Sequence, residues 1–274
     1  MAELGADQGD AHPQLDGHVP PCRERQARAR RPERSQTVTD GVLVVLPTFN
    51  EVENLERVVD GVRQLGHDVL IVDDASPDGT GGLADRLATA DKGVRVLHRA
   101  RKLGLGSAYE DAFRVGLADG AQLFVEMDAD GSHLASDLDG IVEAARRSGG
   151  LAIGSRYVPG GSIEGWPYHR WLLSWGANLY CRTLLGLRTR DCTSGFRCYT
   201  RDLLTHMGLD NVLSQGYSFQ IEMVWRARRH GYSVVEVPIR FEDRVAGASK
   251  VSRGEVRRAL WTVLRLSLSR WKNI

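Results

Sequence analysis

The chain has 274 residues, of which 42% are apolar and 26% are charged, with a formal net charge of +1. This composition is typical of a globular α/β protein, and the charge argues against a nucleic-acid binder that works through bulk charge. The four cysteines (Cys22, Cys181, Cys192 and Cys198) form no C-x-x-C pair and have no metal-ligand spacing, which disfavours a disulfide scaffold or a zinc site. Without a long apolar run or a hydrophobic leader, we expect no transmembrane segment and a cytoplasmic location.

Residues 1–39 are rich in Ala, Gly, Pro, Asp and Arg and contain almost no large apolar side chains. Such a segment cannot bury enough surface to offset the entropy of ordering, so we predict a disordered tail. Its basic run, Arg23 to Arg34, could tether nucleic acid or a membrane. The interspersed Glu24 and Glu33 favour a solvated tail instead.

From Gly41 onward, short apolar runs alternate with amphipathic segments. We predict a helix from Glu51 to Gln64 with Asn50 as its N-cap, and similar helices after Asp78, Ser107 and Ser136. This alternation predicts parallel strands, right-handed crossovers and ligand binding at the carboxyl edge of the sheet. The predicted strands are Val42–Leu46, Val69–Val72, Val94–Leu97, Leu123–Val125 and Leu151–Ile153.

After Gly154 the pattern becomes less regular. We predict helices at Trp166–Leu185 and Ser218–His230, a polar loop at Asp191–Gly195, and a strand at Val234–Val237. A last helix, Arg253–Trp271, would place on one face the apolar residues Val256, Leu260, Val263, Leu264 and Leu268, with arginines around them. That helix could pack on the core or lie on an anionic bilayer. The predicted units are therefore a tail (1–39), a catalytic domain (40–252) and a basic amphipathic helix (253–274).

Two carboxylates one residue apart, Asp128 and Asp130, follow the apolar run that ends at Val125. On an extended chain both would project to one side and could face a hard cation, with Ser132 one step further on. This arrangement suits a metal-bound diphosphate. The first strand-helix turn lacks the G-x-G-x-x-G pattern of a dinucleotide-binding fold, which disfavours NAD.

Eight stretches, in order, resemble motifs of the family-2 glycosyltransferases of GT-A fold, and most closely the polyprenyl (dolichyl) phosphate mannose synthases. The resemblance covers about residues 41–252 and includes both turns and loops of the predicted edge. The stretches are LPTFNE (from Leu46), VDDASPDGT (from Val72), KLGLGSAY (from Lys102), MDADGSH (from Met127), GSRY (from Gly154), DCTSGFRCY (from Asp191), GYSFQIEM (from Gly216) and VPIRFEDRVAGASK (from Val237).

The resemblance implies an α/β fold of GT-A (Rossmann-like) type, a three-layer sandwich with a mostly parallel central sheet. It implies an inverting transferase that moves mannose from GDP-mannose to a polyprenyl monophosphate with Mg²⁺ or Mn²⁺. The implied nucleotide contacts are Pro47, Phe49, Glu51, Val72 and Asp74. The implied residues around the diphosphate, its metal and the phosphates are Asp128, Ala129, Asp130, Ser132, Arg156, Arg244 and Lys250, with Asp130 and Ser132 on the metal.

Two positions depart from the family pattern: Phe49 replaces the common tyrosine, and Ala135 stands where proline is frequent. His133 is expected to form local hydrogen bonds, and Cys192 and Cys198 to be buried apolar residues. Two alternatives stay open: a polyprenyl-phosphate glucosyltransferase or other family-2 transferase that uses a UDP-sugar, and a non-catalytic nucleotide-sugar-binding subunit. Since relatives carry or borrow membrane helices, we expect peripheral contact with the cytoplasmic face of a membrane or a separate membrane subunit, and no nucleic-acid partner.

Overall fold

The computed structural model describes residues 41–210, 212, 214, 216–243 and 253–271. The predicted tail, 1–39, lies outside the described residues. The same holds for Arg244 and Lys250.

A seven-stranded sheet forms the centre of the molecule, in the order β3-β2-β1-β4-β7-β5-β8. All neighbouring strands are parallel except β7, which runs antiparallel to both β4 and β5. The strands are β1 (Val42–Thr48), β2 (Asp68–Asp73), β3 (Val94–His98), β4 (Leu123–Glu126), β5 (Leu151–Ser155), β7 (Arg197–Thr200) and β8 (Val234–Pro238). Two short strands, β6 (Ser162–Ile163) and β9 (Arg240–Phe241), pair beside it.

The helices cover both faces of this sheet. They are α1 (Leu55–Gln64), α2 (Thr80–Ala90), α3 (Leu105–Ala118), α4 (Leu138–Ser148), α5 (Tyr168–Leu185), α6 (Arg201–Met207), α7 (Tyr217–Arg229) and α8 (Arg253–Trp271). One core cluster joins a sheet face to α1, α2 and α4, and a second joins the other face to α3 and α5 to α8. The three-layer, mostly parallel α/β architecture is therefore confirmed.

Strand β1 shows why the sheet is covered on both sides. Its alternate residues Val42, Val44 and Leu46 belong to one cluster, whereas Leu43 and Val45 belong to the other. A strand whose two faces are both buried requires a continuous apolar run, which is the pattern in the sequence. Burial of each such side chain stabilises the fold by roughly 1.5–3 kcal/mol.

The predicted start of α1 is wrong. Asn50 has φ +60° and does not cap the helix, which begins at Leu55 after a turn. The backbone between Asn50 and Leu55 is instead hydrogen-bonded to the turn that follows β2. Glu51 N–H donates to Thr80 Oγ1 (3.0 Å), and Val52 N–H donates to Asp78 Oδ2 (3.3 Å). These contacts between distant residues override the local helical pattern. Helix α3 also begins earlier than predicted, at Leu105.

Strand β7 and helix α6 were not predicted. Strand β7 has only four residues, Arg197–Thr200, and inserts between β4 and β5. Its first residue, Arg197, pairs with Glu126, the last residue of β4. Because β7 is reversed, the loop that precedes it lies at the carboxyl edge of the parallel strands.

Helix α8 packs on α5 and α7, and its apolar residues divide into two groups. Val263 and Leu266 are buried in the core, whereas Leu260, Trp261, Leu264 and Leu268 are exposed. Of the residues predicted on one face, Val263 is buried against the domain, whereas Leu260, Leu264 and Leu268 are exposed; the side chain of Val256 lies outside the described ones. Within the described part of the chain, no helix is long and apolar enough to cross a membrane.

Candidate active site

The first two strand-helix turns lie side by side at the carboxyl edge and are joined by hydrogen bonds. Ser76 Oγ donates to Asp73 Oδ1 (2.5 Å), and Asn50 N–H donates to Ser76 Oγ (3.1 Å). Asn50 and Ala75 have positive φ values, +60° and +56°, the only such non-glycine residues in the described ranges. Backbone strain of this kind concentrates at functional sites, which supports a ligand role for both turns.

Phe49 lies partly exposed at the rim of these turns, with Lys102 Nζ 3.8 Å from its ring centroid. The ring can stack on a nucleotide base, and the lysine adds positive charge from the third turn. Pro47 is partly buried nearby in β1, where it is opposite Val72 of β2. The structure thus brings Pro47, Phe49 and Val72 to one corner of the edge.

Two of the predicted nucleotide contacts are constrained by burial. The Val72 side chain lies in the core, so Val72 can offer only its backbone to a ligand. Asp74 pairs with Arg99 (2.9 Å) and accepts the N–H groups of Leu103 (3.3 Å) and Gly104 (3.2 Å). Burial raises the pKa of Asp74, although Arg99 opposes this shift. Asp74 therefore shapes the third turn, and direct contact with a nucleotide stays a prediction.

The acidic motif forms a turn and not an extended strand. Strand β4 ends at Glu126, and Ala129 and Asp130 lie in the turn that follows. The extended-chain argument for placing both carboxylates on one side is therefore wrong, while their common role stays a prediction. Asp128 is partly exposed, and its N–H donates to Nδ1 of His133 (3.1 Å). Local hydrogen bonding by His133, as predicted, is confirmed.

Asp130 and Ser132 form the most tightly hydrogen-bonded part of the motif. Both are nearly buried, and Asp130 Oδ1 accepts from Ser132 N–H (3.0 Å) and from Ser132 Oγ (2.6 Å). Carboxylate and hydroxyl oxygens are the ligands that Mg²⁺ and Mn²⁺ prefer. The described residues include no cluster of three His, Cys, Asp or Glu side chains that could hold a metal ion. Asp130 and Ser132 offer two oxygen ligands, which fit a divalent cation that is also bound by phosphate oxygens.

Arg156, which follows β5, is held by a buried carboxylate. Its Nε and Nη2 donate to the two oxygens of Asp191, both at 2.7 Å, and Nη2 also donates to Thr193 Oγ1 (3.0 Å). Burial alone would raise the pKa of Asp191, but the charge and hydrogen bonds of Arg156 outweigh it and hold that pKa below its ordinary value. The bidentate geometry fixes the guanidinium plane.

Aromatic rings connect this ion pair to the acidic turn. The Arg156 guanidinium lies 5.3 Å from the ring centroid of Phe241, and His133 packs edge-on against the same ring at 5.7 Å. On the other side, a Cβ added at Gly195 would lie 3.5 Å from a carboxylate oxygen of Asp128. The structure thus brings together the acidic turn, Arg156 and the loop 191–195.

Three features of this site were not predicted. Asp191 lies in one of the quoted motifs, but no role was assigned to it. Because it lies 35 positions after Arg156, nothing local in the sequence indicates that the two side chains pair. Arg99 and Lys102 also contribute charge at the edge.

Cys192 and Cys198 are buried free thiols, as predicted, and burial raises their pKa values.

Residues 43–208 match the family model described as Glycosyl transferase family 2. The parallel sheet, the acidic turn after β4 and this match define the class, and the chain belongs to glycosyltransferase family 2.

Two curated relatives are more specific. The chain is 48% identical over 243 residues to the polyprenol monophosphomannose synthase of Mycolicibacterium smegmatis, covering 88% of this chain and 92% of that protein. It is also 48% identical over 236 residues to the undecaprenyl-phosphate mannosyltransferase of Micrococcus luteus, covering 85% and 97%. Among solved structures, glucosyl-3-phosphoglycerate synthase from Mycobacterium tuberculosis with Mn²⁺, UDP and glucosyl-3-phosphoglycerate shares the fold, with a TM-score of 0.56, 22% identity, and coverage of 84% and 79%.

Proposed function

We propose that this chain transfers mannose from GDP-mannose to a polyprenyl monophosphate and yields polyprenyl-phosphate-mannose. The observation that carries the proposal is the convergence of the Asp128–Ser132 turn and the Arg156–Asp191 pair at one sheet edge. The 48% identity to two proteins named for mannosyl transfer to a polyprenyl phosphate supports mannose as the sugar and a polyprenyl phosphate as the acceptor.

In this reaction an oxygen of the polyprenyl phosphate forms a bond to the anomeric carbon of mannose. The bond from that carbon to the diphosphate breaks, and GDP leaves with its electron pair. A phosphate oxygen is already anionic near neutral pH, so the nucleophile needs no general base. This is consistent with the engagement of His133 in a structural hydrogen bond. A single displacement inverts the configuration, so an α-linked donor gives a β-linked product.

Charge stabilisation is the main requirement for this displacement. A divalent cation held by Asp130 and Ser132, beside Asp128, would neutralise charge that develops on the leaving diphosphate. Mn²⁺ is present in the structure of the fold relative, which supports a divalent metal without deciding between Mg²⁺ and Mn²⁺. Arg156 would offer a fixed guanidinium to phosphate oxygens, and the roles of Arg244 and Lys250 in the same task stay predictions.

Metal removal is expected to abolish transfer. With GDP-[¹⁴C]mannose and a short polyprenyl phosphate, label should enter the lipid phase only when Mg²⁺ or Mn²⁺ is present. EDTA should reduce this label at least about 10²-fold, and excess Mn²⁺ should restore it. Reactions without acceptor serve as the control. Transfer that survives EDTA would contradict the metal role, and the absence of lipid-bound label under all conditions would contradict the function.

The lipid acceptor requires contact with a membrane, and we assign this contact to α5 and α8. On α5, Tyr168, Leu172, Trp175 and Leu179 are exposed at helical spacing and so form one stripe. On α8, Leu260, Trp261, Leu264 and Leu268 form another, and the two helices pack together, with Tyr180 Oη donating to the Leu260 carbonyl at 3.4 Å. We call these eight side chains the α5–α8 apolar face.

Basic residues complete this face for an anionic bilayer. Arg257, Arg258 and Arg265 of α8 are exposed. Tryptophan and tyrosine favour the headgroup region, while arginines attract anionic lipids. The proposed orientation places the α5–α8 apolar face on the cytoplasmic surface of a membrane.

Replacing Trp261 and Leu264 together by serine is expected to weaken binding to phosphatidylglycerol-containing vesicles at least about tenfold, because less apolar surface is buried. Vesicle co-sedimentation measures this change, and zwitterionic vesicles should bind the wild type more weakly. Leu65→Ser is the matched control, since Leu65 is also exposed but follows α1 on the opposite layer. Failure of the wild type to bind anionic vesicles would overturn this assignment and favour attachment through a separate membrane subunit.

A further inference from the structure

Arg197 is the largest completely buried side chain of the described residues, and its guanidinium binds three backbone carbonyls. Nε donates to Ser194 O (2.6 Å), Nη2 to Cys192 O (2.7 Å) and Nη1 to Gln220 O (2.6 Å). Two of these carbonyls belong to the loop 191–195, and the third belongs to α7. One side chain therefore ties this loop to the layer of helices beneath it.

A buried arginine is a costly way to fill space, because its charge must leave water. The neighbouring carboxyl group is Glu126, which lies opposite Arg197 in the β4–β7 register and is also completely buried; burial raises its pKa to about 7, against the opposing charge of Arg197, and the described contacts include no ion pair between the two. A buried arginine without a close ion pair does not stabilise the fold through its charge. Stability alone thus does not account for an arginine at this position, whereas the three carbonyl contacts do.

The loop that Arg197 holds carries two contacts of the candidate active site. At its start, Asp191 fixes Arg156 through two bonds of 2.7 Å. At its end, Gly195 lies near the carboxylate of Asp128, since a Cβ added at Gly195 would be 3.5 Å from it. A shift of this loop would therefore change the position of Arg156 relative to the acidic turn, and misplacement by about 1 Å can reduce a rate about 10²-fold.

We propose that Arg197 is a positioning residue that holds the loop 191–195 against Asp128 and so sets the place from which Arg156 meets the phosphates. The role rests on the proposed function, and it acts through Asp191 and Gly195 without contact between Arg197 and substrate. The turns that follow β1 and β2 are not bound by Arg197. Since the implied contacts Pro47, Phe49, Glu51, Val72 and Asp74 lie on or beside those turns, the effect should fall more on turnover than on binding of the nucleotide.

Three variants separate positioning from folding. Arg197→Met leaves three buried carbonyls without their donor, so the melting temperature should fall by roughly 5–15 °C. The double variant Glu126→Gln with Arg197→Met also removes the buried acid whose charge Arg197 offsets, and it should recover part of that loss. Arg197→Lys keeps the charge, but an ammonium lacks the planar fork that reaches three carbonyls at once.

We expect the kcat of mannosyl transfer to fall at least about tenfold in the double variant and in Arg197→Lys, with the KM for GDP-mannose changed less than about threefold. Amide exchange at residues 192–195 and at the Arg156 N–H, which donates to Asp191, should become at least about tenfold faster. Arg201→Met is the matched control, because Arg201 also binds a carbonyl, that of Ala121, but lies past the opposite end of β7. Its kcat and loop exchange should match the wild type.

Recovery of kcat together with melting temperature in the double variant would overturn the positioning role. Unchanged amide exchange at 192–195 in that variant would overturn it as well. A wild-type protein without mannosyl transfer would count against the proposed function alone, since the exchange measurement still decides the role of Arg197.

Discussion

Asp130→Ala is expected to reduce kcat/KM for mannosyl transfer at least about 10²-fold, because the cation that stabilises the leaving diphosphate loses its carboxylate ligand. Asp130 is nearly buried and oriented by two hydrogen bonds from Ser132. In the alanine variant a water can occupy the place of the carboxylate, but it does not supply the negative charge. Initial-rate kinetics and titration of Mn²⁺ in the presence of GDP measure the two expected losses.

Asp139→Ala is the matched control for this variant. Asp139 lies a few residues further along the chain in the first turn of α4, its side chain is 64% exposed, and it pairs with His67. We expect its activity to stay within about twofold of the wild type, since the Asp139 side chain is largely exposed and its partner, His67, is not one of the site residues. Near-normal turnover and Mn²⁺ affinity in Asp130→Ala would show that the metal is held elsewhere.

Asp191→Ala is expected to lower the free energy of unfolding by about 3–5 kcal/mol, because it leaves Arg156 nearly buried without its counter-charge. The pKa of Asp191 is held below its ordinary value, so its stabilising contribution is present at neutral pH and is lost as the pH falls through that low pKa. The difference from wild type should therefore shrink below about pH 4. Urea unfolding at several pH values measures this.

A partly exposed ion pair provides the comparison for the loss of stability in Asp191→Ala. Arg170 Nη1 lies 2.9 Å from Asp243 Oδ1, with 29% and 37% of the two side chains exposed. Asp243→Ala should cost only about 0–1 kcal/mol. Equal losses in the two variants would show that burial of the Arg156–Asp191 pair does not govern its contribution.

Strands β1 to β5 and β8 could be predicted because each is a short apolar run between amphipathic helices. Strand β7 could not, since its four residues begin with Arg197 and its place between β4 and β5 depends on pairing with distant residues. The start of α1 was missed for a similar reason. Thr80 and Asp78 bind the backbone before the helix, and no pattern within residues 50–64 reveals this.

The candidate site was predictable where the motif residues follow strand ends. Asp130 and Ser132 lie beside each other in a turn instead of on an extended chain, and their role as metal ligands stays a prediction. The partner of Arg156 was not predictable from spacing. Asp191 lies in the loop before β7, and only the antiparallel placement of β7 brings that loop to Arg156. Arg197 lies in the quoted stretch DCTSGFRCY but was assigned no role, since an arginine is usually exposed and its burial is not visible in the sequence.

A comparison of two sugar donors is the most direct test of the proposed transfer of mannose from GDP-mannose to a polyprenyl phosphate. Wild-type protein with Mg²⁺ or Mn²⁺ and a short polyprenyl phosphate should be offered GDP-mannose and UDP-glucose in parallel, with the lipid product identified by mass spectrometry. We expect a polyprenyl-phosphate-hexose and free GDP from GDP-mannose, with kcat/KM at least about 10²-fold above that for UDP-glucose. A product formed from UDP-glucose and not from GDP-mannose would keep the family and contradict the donor; no product from either would favour a non-catalytic nucleotide-sugar-binding subunit.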